Sequence, residues 1–191
     1  MVLVFISNSA QSVTYNSDPE IFIAELVTDV ITTLNDNSIT EVDKNKIIEK
    51  IIVENVDIKV LGLYTLGKIR KELKPEDIEK YNNLFKRYLI KSLTSRLSDY
   101  TSQKFEIINS NQKSALTTIV SSKILEGSSQ PEIKIDWRIY TKNPLKPLIR
   151  DLIVEGLSIA KVQKEEFSSV LNSNNNDINN LFSILEQFIS E

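Results

Sequence analysis

Neither cysteine nor histidine occurs anywhere in the chain. Without them no Ser-His-Asp triad, Cys-His pair or zinc site of the usual ligands can be assembled, which excludes most hydrolase mechanisms. Glycine is scarce, 4 residues in 191, and no G-x-S-x-G, P-loop or G-x-G-x-x-G pattern occurs. Glycine loops that cradle phosphate are thereby excluded. Asp, Glu, Tyr and Lys remain, so acid-base chemistry is still open. No apolar run approaches the roughly 20 residues that a bilayer-spanning helix needs. The lack of cysteine leaves the compartment open, because a disulfide-free protein is at home in the cytosol and tolerated in the periplasm.

What is present fits an ordinary folded domain: 41% hydrophobic and 26% charged residues, with a formal net charge of -3. At this length one domain is expected, and it can bury roughly 70% of its unfolded surface. The charge gives no attraction to nucleic acid; the cations Lys86, Arg87, Lys91 and Arg96 read as a solvated helix face. Met1 to Ile6 is apolar and Ser7 to Ser12 is small and polar, so residues 1-17 are expected to be a signal-peptide remnant or a disordered N-terminus. Residues 18-191 are expected to form the single domain.

Asp18-Pro19-Glu20 reads as a helix start, followed by Ile23, Val27, Val30, Ile31 and Leu34 at helical spacing. Thr40 and Asp43 look like a capping pair for a second helix with Ile47, Ile48, Ile51 and Ile52 on its apolar face. Asp57 starts a short third helix carrying Val60, Leu61, Tyr64 and Leu66 that stops near Gly67. Pro75 opens a long fourth whose wide apolar face runs from Tyr81 to Tyr100. The period then changes. Phe105 to Asn109, Leu116 to Leu125, Glu132 to Tyr140 and Leu148 to Ile159 read as four strands of a meander, separated by turns at 109-112, 127-129 and 142-144. In the third, Ile133, Ile135, Trp137 and Ile139 alternate with Lys134, Asp136, Arg138 and Tyr140, which makes one face apolar. Helices return over Val162 to Leu171 and from Asp177 to Ile189, with Ile178, Leu181, Leu185 and Phe188 as a packed face. The fold class expected is α+β, with helices on one side of a curved sheet.

Ile133-Lys134-Ile135-Asp136-Trp137-Arg138-Ile139-Tyr140 followed by Asp151-Leu152-Ile153-Val154-Glu155-Gly156-Leu157-Ser158-Ile159 closely resembles the paired strands of the MlaC family. These are periplasmic lipid carriers, also called toluene-tolerance proteins. Leu66-Gly67, Phe85-x-x-Tyr88-Leu89, Tyr100 and Gln163-x-x-x-Phe167 match in the same order, so the resemblance runs from about Asp18 to the C-terminus. One departure is visible: Pro147-Leu148-Ile149-Arg150-Asp151 stands where the family usually carries a W-K-I-Y-D-like start to the last strand.

The resemblance implies an NTF2-like four-stranded antiparallel meander with helices enclosing an apolar cavity. The cargo it implies is phospholipid, with no cofactor, no metal and no catalysis. Its implied partners are an outer-membrane lipoprotein-porin complex and an inner-membrane ABC transporter with an MCE-domain ring, served by a periplasmic monomer. By face, the expected lipid-lining residues are Leu61, Leu66, Phe85, Tyr88, Leu89 and Leu93 from the helices, with Val120, Ile135, Trp137 and Val154 from the sheet. Asp136 and Arg138 share a face, and a structural ion pair to Glu155 is expected there rather than catalysis. Two rival readings stay open. An NTF2-like enzyme using carboxylate or Tyr acid-base chemistry would show a carboxylate of raised pKa deep in the pocket, and a pure interaction module would show a filled core.

Overall fold

A computed structural model describes residues 14-97, 104-125 and 132-191. Among these residues four α-helices precede the sheet: α1 (Pro19–Asn35), α2 (Glu41–Asn55), α3 (Ile58–Thr65) and α4 (Pro75–Leu97). Two follow it, α5 (Ile159–Ser173) and α6 (Ile178–Ser190). Their starts follow from side-chain caps. Asp18 accepts from the amides of Glu20 and Ile21, Thr40 from Asp43, Ser158 from Lys161 and Asp177 from Asn179, each satisfying amides that a helix leaves open. Asp57 occupies the start of α3 without capping it; its carboxylate takes the Arg150 guanidinium at 2.8 Å instead. Among the described residues no helix is long and apolar enough to cross a membrane.

Among the described residues the sheet has five strands in sequential antiparallel order, not four: β1 (Lys104–Ser114), β2 (Thr117–Leu125), β3 (Ile133–Tyr140), β4 (Leu148–Val154) and β5 (Leu157–Ser158). The apolar run expected to be one strand from Leu148 to Ile159 is broken at Glu155 and Gly156. Both take the left-handed conformation, with φ of 48° and 81°, and they reverse the chain in a two-residue hairpin. Helix α5 then starts at Ile159, three residues earlier than expected. The turn expected at 109-112 is instead strand: β1 pairs with β2 as far as Ser114 across two bulges, because backbone ladder bonds hold this exposed polar stretch extended. The turn expected at 127-129, the N-terminal segment 1-13 and Tyr100 lie outside the described residues.

Cross-strand register fixes which side chains share a face. Val120 sits opposite Trp137, Thr118 opposite Ile139 and Ser122 opposite Ile135, so these point to the inner side. Ser121 opposite Asp136 and Ile119 opposite Arg138 point outward. A bulge at Arg150 lets Ile149 stay inward beside Ile139 while Asp151 faces outward beside Arg138.

Two apolar clusters form. One is purely helical, built on Tyr81, Phe85, Phe167, Leu171, Leu181 and Leu185; the other joins Tyr15, Phe22, Ile23 and Ile51 to the sheet residues Val120, Ile139 and Ile149. The faces of the short elements differ from expectation. Ile47, Val60 and Tyr64 are exposed, while Lys44, Gly62 and Thr65 are buried in their helices. Lys44 is accommodated by a bond to the Leu34 carbonyl (2.8 Å) and an ion pair with Glu41. At Gly62 a side chain would meet the Phe85 ring at 2.9 Å, which explains why a helix tolerates glycine there.

Candidate functional site

The inner face of the sheet is the candidate site. Alternation supplies it with apolar side chains, and register lines them up in rows across strands: Val120, Trp137 and Leu152 in one, Ile135, Val154 and Leu157 in the next. Trp137 and Leu152 pack against the sheet-side cluster yet remain half-buried, as do Ile135 and Val154. The one polar group of these rows is internally matched. Ser122, 1% exposed, accepts from the Trp137 indole N–H at 2.8 Å and donates to the Ile135 carbonyl at 3.0 Å. The indole is thereby fixed to β2, with Phe105 edge-on to it, and its polar N–H is satisfied.

The helical side supplies a second apolar surface. Phe85, Tyr88 and Phe167 form an aromatic group joined by Tyr81 below and Phe188 above. Tyr88 Oη donates to Gln163 Oε1 at 2.7 Å, which ties α4 to α5. Beyond that bond, Leu89 and Leu93 on the C-terminal half of α4 are half-buried.

The sequence-predicted residues therefore fall into three groups. Leu66 and Phe85 are fully packed core on the helical side, with Leu61, Tyr88 and Leu89 against them. Val120 is fully buried core on the sheet side, with Trp137 beside it. Ile135, Val154 and Leu93 are half-buried and belong to neither cluster. Sequence reasoning missed Leu152, Phe105 and Ile107 of the inner face. Their period-two spacing was a usable signal, but only register shows that Leu152 faces Trp137.

The expected pairing of Asp136 and Arg138 with Glu155 does not form. Asp136 accepts from Ser121 Oγ at 2.6 Å, and Arg138 pairs with Asp151 at 3.3 Å. The Glu155 carboxylate instead accepts from the Lys134 amide, because the left-handed turn turns it back onto the start of β3. Asp151, 3% exposed, is the hub. Its carboxylate also accepts from Ser158 Oγ at 2.7 Å and the Ala160 amide at 3.0 Å, fastening α5 to β4.

Hydrogen bonds from Ser38, Thr40 and Lys104 hold Asp36, Asp43 and Glu106 below the usual carboxylate range, all three at the surface. Burial raises the phenols of Tyr15 and Tyr81, keeping them protonated. Among the described residues no cluster of three or more acidic side chains is placed to hold a metal ion. Two surface hollows have mixed linings: one of about 560 Å³ lined by Tyr64, Lys161, Lys164 and Asn172, and one of about 290 Å³ on the outer face of the sheet beside Lys134, Asp136 and Ile153.

Comparison with known proteins gives both structural and family findings. A phospholipid-binding protein from Ralstonia solanacearum, solved in complex with a phospholipid, superposes with a TM-score of 0.75 at 18% identity, covering 92% of this chain and 97% of that one. No curated protein matches the sequence. The sequence model of the MlaC protein family matches residues 24-187. With most of its length matched, and with the paired β3 and β4 strands that carry the resemblance lying side by side in the sheet, the chain belongs to the MlaC family.

Proposed function

We propose that this protein is a phospholipid carrier that shelters acyl tails between the inner face of its sheet and the α4 side of its helical layer. The observation that carries the reading is the half-buried apolar surface on both sides: Ile135, Trp137, Leu152 and Val154 on the sheet, Leu89 and Leu93 on the helix. Membership of the family and the phospholipid bound by the similarly folded Ralstonia protein support it. The finer parts of the reading are an NTF2-like sheet, a periplasmic location, and shuttling of lipid by a monomer between an outer-membrane lipoprotein-porin complex and an inner-membrane ABC transporter with an MCE-domain ring.

The physics asks only for binding. At about 0.8 kcal/mol per methylene, two tails of roughly 14 carbons carry on the order of 20 kcal/mol of unfavourable hydration. An apolar interior removes most of that without bond making, so the proposed role needs no catalysis. The test is to purify the protein, extract it with organic solvent and identify co-purifying lipid by mass spectrometry, then to follow uptake of fluorescent phospholipid from vesicles. Phospholipid at a fixed ratio to protein, or saturable uptake, is the expected result. Protein that carries none and takes up none refutes the proposal.

A further inference from the structure

We propose that acyl tails pass in and out across the β5 edge of the sheet, over an apolar rim made by Leu157, Ile159 and Val162. The proposal rests on the lipid-carrier reading and names the path that reading requires.

The rim is continuous with the inner face. Register places Leu157 directly beside Val154, Val154 beside Ile135 and Ile135 beside Ser122, so one row crosses from mid-sheet to the edge on a single face. Exposure rises along it, from the fully buried Ser122 through half-buried Ile135 and Val154 to Leu157 at 65%. The chain then enters α5 at once, where Ile159 is 49% and Val162 39% exposed. Three large apolar side chains within six positions, open to water and joined to an apolar interior, mark a surface that meets an apolar partner. Acyl tails are the partner that fits, since the row leads inward to the proposed tail site.

Among the described residues, the side-chain contacts that join α4 to α5 stop short of the rim. Helices α4 and α5 run antiparallel, with Tyr81 and Phe85 against Phe167 and Tyr88 against Gln163. Ile159 lies one turn before Gln163 on the same side of α5, so it sits past the last bond of that seam. The other edge carries Phe105 and Ile107 packed against the sheet-side cluster at one end and turns polar at the other. There Ser110 and Gln112 stand beside Val120 and Thr118 on the inner face, and β1 is exposed and polar from Asn109 to Ser114. A tail crossing that polar half would be drawn over hydroxyls and amides; one crossing β5 meets Leu157, Val154 and Ile135.

Because the chain has no cysteine, a probe can be attached at a single introduced thiol. A fluorophore on Leu157→Cys is mixed with phosphatidylethanolamine–phosphatidylglycerol vesicles whose lipids carry doxyl-labelled tails, with Leu145→Cys, in the turn at the opposite end of the sheet and 79% exposed, as control. Quenching at 157 and not at 145 is expected. In parallel, the Ile159→Glu/Val162→Glu protein, altered only at exposed rim positions, is expected to load fluorescent phospholipid about tenfold more slowly while reaching a similar final occupancy, as for a barrier raised on the path rather than in the site. If the unaltered protein loads and the double variant loads equally fast, or the 145 probe is quenched as strongly as the 157 probe, the path is wrong and the carrier reading survives. If the unaltered protein loads nothing, both fall.

Discussion

Replacing Asp151 by alanine tests the architecture most directly, because this carboxylate joins the sheet to the helix that borders the proposed site. It is 3% exposed, accepts hydrogen bonds from the Ala160 amide at 3.0 Å and Ser158 Oγ at 2.7 Å, and forms an ion pair with Arg138 at 3.3 Å. The amide belongs to the first turn of α5, where carboxylate and helix dipole attract, and losing that charge-assisted bond costs about 1.5–2 kcal/mol. The Ser158 hydroxyl, left without its acceptor while still capping Lys161, adds about 1 kcal/mol. Arg138 is half-exposed, so its share is below about 1 kcal/mol. The total expected for Asp151→Ala is about 3 kcal/mol, against about 1 kcal/mol for Asp151→Asn, which keeps an acceptor for the amide. Asp136→Ala, losing one bond to Ser121, is expected to cost below about 1 kcal/mol. Urea unfolding followed by circular dichroism, with the slope checked for constancy, measures all three. A loss under about 1 kcal/mol for Asp151→Ala, or an equal loss for Asp136→Ala, would refute the assignment of Asp151 as the hub.

Three further outcomes follow from single residues. Gly156 holds φ of 81° with open space around it, so Gly156→Ala is expected to cost about 1–2 kcal/mol from backbone strain alone, with no change in the slope of the urea transition. The phenol of Tyr81 is raised by burial from its ordinary value of 10.0, so the folded state keeps a proton that the unfolded state releases. Stability is therefore intact below about pH 10 and falls as pH rises beyond it, by up to about 1.4 kcal/mol per pH unit for this group. Tyr81→Phe, despite losing the bond to Thr65 at 2.7 Å, should show a shallower alkaline decline; parallel profiles would contradict the burial argument. Trp137 is the one tryptophan of the chain and lies half-buried on the inner face, so loading with phospholipid should shift its emission to shorter wavelength. An unchanged spectrum on a protein shown by mass spectrometry to be loaded would place the tails elsewhere.

Much of the fold was legible because it has local causes. The caps at Asp18, Thr40 and Asp177 satisfy amides a few residues away, and the alternation from Ile133 to Tyr140 reports a sheet with one apolar side. The missing cysteines, histidines and glycine loops bounded the chemistry in the same local way. The helix faces were less legible where elements are short: in α3 the spacing suggested Val60 and Tyr64, yet packing against α4 selected Gly62 and Thr65.

By itself, then, the sequence determined an α+β order of elements, a one-sided sheet and a narrow choice of chemistry, since each depends on residues close together along the chain. Only the tertiary structure decided the fifth strand, the partner of Asp151, the inward placement of Leu152 and the exposure of Leu157. The left-handed pair Glu155-Gly156 interrupts a run that reads as one continuous apolar strand, and the ladder bonds that extend β1 through Asn, Ser and Gln involve backbone atoms every residue shares. Register and long-range pairing have no signature within a single segment, and they are what turn an alternating strand into one wall of a binding site.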